Sequence, residues 1–246
     1  MMPAELAPWL PLVIFVIALL YSTVGHGGAS GYLAALAIAN VPIAALRPSA
    51  LMLNLVVSCI AFAQFRSAGH FRWKLFWPFA IASVPAAFIG AGIALGPVLY
   101  KQLLALCLLF AVGRLMGVFG SWRAEPRRMH IPLALSIGLV IGLLSGMIGI
   151  GGGIILSPVL LLLRWATAHE AAAVSALFIF VNSSAGLIGI GDLAMPVAAG
   201  VFWWLAAAIL GGLTGAFLGA RRTPPVRMRQ LLGMVLLAAS VKLLVP

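Results

Sequence analysis

Two glycine clusters, Gly25-His26-Gly27-Gly28 and Gly149-Ile150-Gly151-Gly152-Gly153, each interrupt a long apolar run, and the chemistry open to them is that of the backbone. A helix that starts just after a glycine turn points unpaired N–H groups and the positive end of its dipole into the break, which suits an anion without a buried lysine. Glycine serves there because a Cβ would block close backbone approach and disfavour left-handed dihedrals. Starts after Gly28 and after Gly152-Gly153 supply two such ends. Ser22, Thr23, Ser30, Asn54, Ser58, Asn182, Ser183 and Ser184 lie in or near the broken segments and the helix that follows each, and their donors suit oxyanion oxygens. Each also has a structural use, since Ser and Thr back-bond to their own helix and Asn joins helices. His26, with a reference pKa of about 6.5, can bind an anion as imidazolium, relay a proton, or fix the turn through one bond to a loop carbonyl. Ile150 stands at the matched position of the second cluster, so symmetry does not demand a histidine. The candidate substrate-binding set is Gly25, His26, Gly27, Gly28, Ser30, Asn54, Ser58, Gly149, Gly151, Gly152, Gly153, Asn182 and Ser183.

The elements that position these residues follow from composition. With 64% hydrophobic and 8% charged residues, and several apolar stretches near the roughly 20 residues that span a bilayer, the chain is an all-α polytopic membrane protein. A net charge of +11 would suggest nucleic acid in a soluble chain, but Lys and Arg lie mostly between or at the ends of apolar segments, where they orient a membrane protein. Nucleic acid is excluded as a partner, and the bilayer is the expected one. Cys59 and Cys107 sit in apolar runs without metal-ligand spacing and read as packing residues. No metal, cofactor or cleavable signal peptide is expected, the first basic residue being Arg47.

Apolar runs extend from about Trp9 to Val24, Ala29 to Val41, Ala44 to Phe65, Leu75 to Leu95 and Leu103 to Phe119. A basic connector over 121–130 divides a first repeat, 1–120, from a second, 131–246. The second holds runs from Pro132 to Ile148, Ile154 to Leu163, Thr167 to Ile188, Leu193 to Ala220 and Val226 to Val245. Register supports a duplication: Gly25-x-Gly27-Gly28 falls on Gly149-x-Gly151-Gly152 at an offset of 124, Ser49-Ala50-Leu51 on Ser175-Ala176-Leu177 at 126, and Gly90-Ala91 on Gly215-Ala216 at 125.

Charge says how the halves are related. Were each glycine-broken run one continuous crossing, the Lys and Arg residues would divide eight against seven, against the positive-inside rule. If each run instead turns back at its glycines, the division becomes twelve against three, with Arg47, Lys101 and Lys242 on the outer side. The expectation is two inverted repeats, each a glycine-broken hairpin helix pair followed by three transmembrane helices, with both termini periplasmic.

The paired Gly-x-Gly-Gly breaks, the 4+4 segment plan, the turn Gly69-His70-Phe71-Arg72-Trp73 and its counterpart Gly189-Ile190-Gly191-Asp192 resemble the TauE/SafE family, also described as sulfite exporters or toluene sulfonate uptake permeases. The resemblance runs from about Val13 to Leu244 and implies a bacterial inner-membrane permease for sulfite, sulfoacetate or another organosulfonate. The first break departs from the simplest family form in carrying His26 and continuing Ala29-Ser30-Gly31-Tyr32. The expected function is therefore a permease, not an enzyme, holding a small sulfur-containing anion near the midplane between the breaks and moving it by alternating access. A passive anion channel would share that site. An intramembrane serine hydrolase is the competing class, because Gly28-Ala29-Ser30-Gly31 is similar to the nucleophile segment of rhomboid proteases, with His169 as the imaginable base. A homo-oligomer is left open.

The other polar residues have structural readings. Asp192 caps a helix near Leu193, Glu170 suits the positive end of the helix near Thr167, and Glu5 and Glu125 are solvated flanks. His70 and His130 are interfacial. Arg47, just before Pro48, either draws anions to a vestibule or snorkels to headgroups. Trp9, Trp73, Trp77, Trp122, Trp203 and Trp204 read as interfacial anchors.

Overall fold

A computed structural model describes residues 8–39, 41–93, 102, 127–191, 200–224, 227, 230, 234 and 237. Its helices are α1 (Leu10–Ser22), α2 (Ala29–Ile38), α3 (Ile43–Ser67), α4 (Trp73–Ala91), α5 (Ile131–Ile148), α6 (Gly153–Leu162), α7 (Ala168–Gly189) and α8 (Val201–Arg221), with no strand among the described residues. Five are long and apolar enough to cross a membrane, α3, α4, α5, α7 and α8, whereas α1 and α6 are shorter apolar helices. The run expected over 103–119, that over 226–245 apart from 227, 230, 234 and 237, and the readings of Glu5, Lys101, Cys107, Trp122, Glu125, Asp192 and Lys242 lie outside the described residues.

Local chemistry sets the helix ends. Pro11 and Pro132 stand in the first turns of α1 and α5, where a missing N–H costs nothing. Gly149 (φ +83°) ends α5 and Gly152 (φ +73°) opens α6 in left-handed conformations that favour glycine. Thr167 and Glu170 form a capping box on α7: the Glu170 N–H donates to Thr167 Oγ1 at 3.3 Å, and the Thr167 N–H donates to Glu170 Oε2 at 2.8 Å. The other carboxylate oxygen of Glu170 takes Arg72 Nη1 at 3.0 Å, tying the α3–α4 turn to the start of α7.

With helices apolar all round and lipid as apolar as leucine, close approach of small residues decides which helices pair. On α5, Gly138, Gly142 and Gly146 lie so close to the main chain of Phe79, Ser83 and Ala87 of α4 that a Cβ at any of them would collide with it. On α8, Gly211, Gly215 and Gly219 meet the main chain of Phe15, Leu19 and Thr23 in the same way. Both ladders advance by four on each strand of contacts, so α4 runs parallel to α5 and α1 runs parallel to α8.

The remaining contacts fix the other directions. Gly212 packs on Val57, and Ala216 and Ala220 share clusters with Ala61 and Phe65, so α3 is parallel to α8 and hence to α1. Because α1 and α3 run the same way, α2 between them runs back: Ser30 bonds Tyr21, and Gly31 packs on Ile17. Asn182 meets Ser83, and Gly189 meets Phe88 and Ala91, so α7 is parallel to α4 and α5, and α6 returns between α5 and α7. The pairs Asn54–Ser183 and Leu51–Gly186 make α7 antiparallel to α3. Two apolar cores result, one from α1, α2, α3 and α8 around Ile14, Leu36, Leu53 and Trp204, the other from α4 to α7 around Phe79, Leu156, Leu160 and Phe178.

Two sequence readings are corrected by this packing. Trp204, expected at an interface, is 1% exposed in the first core because α8 turns that position onto α1 and α3, while Trp9, Trp73, Trp77 and Trp203 are exposed. Cys59, expected to pack inside, is exposed on α3.

Candidate functional site

The first break is built by main-chain bonds that finish α1. The N–H groups of Gly25 and His26 donate to the carbonyls of Ser22 (3.0 Å) and Tyr21 (2.9 Å), and Gly25 and Gly28 take φ of +77° and +100°. Gly25 is pressed against the main chain of Ala172, and Gly27 against the side chain and carbonyl of Asn54. The chain then enters α2, whose first N–H, that of Ala29, donates to Asn54 Oδ1 at 3.2 Å. Asn54 thus satisfies from α3 a group that a helix start leaves unpaired.

The same amide reaches the second half. Asn54 Nδ2 donates to Ser183 Oγ of α7 at 2.9 Å, and Gly151 sits against both side chains. The two breaks touch directly through His26, whose Nε2 lies 3.0 Å from the carbonyl oxygen of Gly153, the first residue of α6. A carbonyl oxygen only accepts, so Nε2 carries the proton of that bond. All residues from Gly25 to Ser30 and from Gly149 to Ile154 are buried, and His26 is 0% exposed.

Of the thirteen candidate residues, the structure brings His26, Gly27, Asn54, Gly151, Gly153 and Ser183 into one contiguous contact, with Gly28 and Gly152 flanking it. Ser58 stands apart, its hydroxyl donating to Leu55 O at 3.1 Å, as Ser22, Thr23 and Ser184 likewise back-bond to Leu19, Leu20 and Phe180. Ser30 is paired with Tyr21 Oη at 2.9 Å. Asn182 donates to Ser83 Oγ (3.1 Å) and Phe178 O (2.8 Å), joining α7 to α4. Gly25 and Gly149 mark the outer limits of the two breaks. Gly149 lies under the Arg47 side chain.

Four buried polar atoms here have no hydrogen-bond partner among the described residues: His26 Nδ1, Tyr32 Oη, Ser145 Oγ and Asn182 Oδ1. Tyr32 Oη lies over Gly28, and the Ser145 side chain lies beside Gly152, so each break has an unpartnered hydroxyl next to its helix start. Tyr21, Tyr32, Ser83 and Ser145 were not among the sequence candidates. The two tyrosines bracket the first break, and the two serines interrupt otherwise apolar helices, which is the signal that could have found them.

Arg47 is engaged by the ends of two helices. It is half-buried, and its Nη2 donates to Ala91 O at 3.2 Å and to Gly146 O, the C-terminal turns of α4 and α5, where a cation complements exposed carbonyls. His70 and His169 stack at 4.6 Å between ring centroids, with Nε2 atoms at 3.1 Å from Ala220 O and 3.2 Å from Thr223 O at the end of α8. Ser30 and His169 are therefore each bonded elsewhere.

These features define a multi-span helical membrane protein whose two broken helices converge at a buried polar contact. The chain matches the family described as Sulfite exporter TauE/SafE over residues 10–243. It is 39% identical over 241 residues, 96% of this chain and 97% of the relative, to a protein of Sinorhizobium fredii (strain NBRC 101917 / NGR234) named Probable membrane transporter protein y4hK. No solved structure matches it. The chain belongs to the sulfite exporter TauE/SafE family and is a membrane transporter.

Proposed function

We propose that the protein is a permease for a small sulfur-containing anion, sulfite, sulfoacetate or another organosulfonate, bound between the two breaks and moved by alternating access. The observation that carries this reading is the 3.0 Å contact of His26 with Gly153, which sets the starts of α2 and α6 against each other deep in the protein. Two positive dipole ends then approach each other, each with an unpartnered hydroxyl beside it that suits oxyanion oxygens, Tyr32 Oη at Gly28 and Ser145 Oγ near Gly152. In the arrangement described the amide oxygen of Asn54 takes the Ala29 N–H, so an arriving anion would exchange with an uncharged acceptor rather than fill an unpaired site. The sulfur specificity follows the family description.

The proposal includes two inverted repeats, residues 1–120 and 131–246, joined by the basic connector. Supporting it, α3 opposes α7, the α1–α8 pairing has its counterpart in α5–α4, and each two-core half contains one broken pair. The twelve-to-three division of basic residues then places the Arg72 end in the cytoplasm and both termini outside, in a bacterial inner membrane.

Radiolabelled flux in proteoliposomes tests the function, with sulfite, thiosulfate, sulfoacetate and taurine as probes and sulfate and a cation as controls. Saturable uptake of one sulfur anion, accelerated by the same anion on the opposite side, is expected. Flux that neither saturates nor accelerates would make the protein a channel, and no flux from folded protein would remove the assignment to these substrates.

A further inference from the structure

We infer that His26 is the proton-binding residue of the transport cycle, so that one proton moves with each anion. The inference rests on the proposed site between the breaks. Its starting point is the asymmetry of the ring: Nε2 donates to Gly153 O at 3.0 Å, while Nδ1, equally buried, has no partner among the described residues. An imidazolium would place a second N–H there with nothing to accept it, and a buried charge without a counter-charge is costly. In this arrangement the ring is neutral, and its Nδ1 lone pair is the free acceptor.

An oxyanion changes that balance. The hydroxyls of Tyr32 and Ser145 can donate to it, but the lone pair of Nδ1 faces it only if a proton lies between them. A proton delivered from solvent forms an N–H bond at Nδ1 as the O–H bond of hydronium breaks, and the imidazolium then opposes the anion's charge. On the far side the same N–H bond breaks, the proton returns to water, and the neutral ring is restored. Binding of proton and anion are mutually strengthening for this reason, and each raises the affinity for the other by the same factor.

Nothing else described near the breaks can take this role. The elements packed against His26 offer Tyr21 from α1, Tyr32 from α2, Arg47 from α3 on the far side of the second break, and only Ser157, Ser175, Asn182 and Ser183 from α6 and α7. His169 and Glu170, near the start of α7, face away, bonded to Thr223 O and to Arg72. The second break has Ile150 where the first has His26, so the site supplies one proton and not two.

Proteoliposomes with the membrane potential clamped at zero separate this inference from the function beneath it, with sulfoacetate, thiosulfate and sulfite as probes. A gradient of one pH unit, acid on the side of entry, is expected to raise the accumulation of the transported anion about tenfold, the equilibrium ratio for one proton per anion. His26→Gln keeps an amide N–H for Gly153 O but cannot titrate. It is expected to slow exchange and to accumulate no anion in response to the gradient. Weakly buffered wild-type protein in detergent should also take up protons when the anion is added, a readout independent of the variant. Wild-type counterflow without gradient-driven accumulation, or accumulation by His26→Gln equal to wild type, would overturn the inference while leaving the permease standing. Absence of counterflow in the wild type would remove the permease reading itself.

Discussion

At the scale of single residues, Asn54 joins more of the site than any other side chain, because its amide accepts from Ala29 at the start of α2 and donates to Ser183 of α7. Asn54→Leu leaves a buried N–H and a buried hydroxyl without that partner, and interhelical hydrogen bonds in membranes contribute about 0.6–2 kcal/mol. A lower unfolding temperature in detergent is expected, with Gly92→Ala as a reference: Gly92 has an ordinary backbone, and an added Cβ meets its nearest atom at 3.5 Å. The glycines of the breaks respond differently. Gly28 and Gly152 have positive φ, and an added Cβ comes within 2.9 Å of Tyr32 and 2.8 Å of Ile141 respectively. Left-handed backbone costs a residue with a Cβ roughly 1–2 kcal/mol before any steric contact. Gly28→Val and Gly152→Val should therefore insert normally in membrane fractions yet abolish flux. Transport surviving both changes would place the site elsewhere.

At the scale of elements, the glycine ladders set the frame within which the breaks are held. Gly142 meets the main chain of Ser83 and Gly215 that of Leu19, so Gly142→Leu or Gly215→Leu must push α5 from α4 or α8 from α1. Overpacking costs about 1–3 kcal/mol at one position. Either variant should show reduced folded yield by size-exclusion chromatography, where Gly92→Ala behaves as wild type. The helices were legible in sequence because each is an apolar run bounded by glycine, proline or charge, and the described ends fall close to those bounds: α1 at Leu10–Ser22 and α7 at Ala168–Gly189. The ladders were also written there, as glycines four apart at 138, 142, 146 and at 211, 215, 219. Their partners were not legible, since in lipid an apolar face does not announce whether it meets a helix or an acyl chain. The same ambiguity put Trp204 at an interface and Cys59 inside. Within the site, the break glycines, Asn54 and Ser183 stood out as exceptions to apolar sequence, whereas the pairing of Asn54 with Ser183 and of His26 with Gly153 is set by tertiary geometry that no local pattern encodes.

At the scale of the whole molecule, the two breaks reach toward opposite ends of the bundle. Gly25 is pressed on Ala172, four residues into α7, and Gly149 lies under Arg47, four residues into α3, each only about 6 Å along its helix at 1.5 Å per residue. Since α3 and α7 are antiparallel, those two points lie toward opposite faces, with the contact of His26 and Gly153 between them. Each end is closed differently: main chain seals the Gly25 end, and an arginine side chain that also ties α4 to α5 seals the Gly149 end. Under the proposed orientation the arginine closes the outer approach. Val24→Cys and Ile148→Cys, placed in a C59S/C107S background, probe the two ends at buried positions that are equivalent under the 124-residue offset. A membrane-impermeant thiol reagent should label Val24→Cys only from the cytoplasmic side and Ile148→Cys only from the outside. Adding Arg47→Ala removes the donor to Ala91 and Gly146, so it should increase labelling of Ile148→Cys several-fold and leave Val24→Cys unchanged. Labelling of both cysteines from one and the same side would sink the inverted arrangement, because a substrate held between the breaks could then reach only one face.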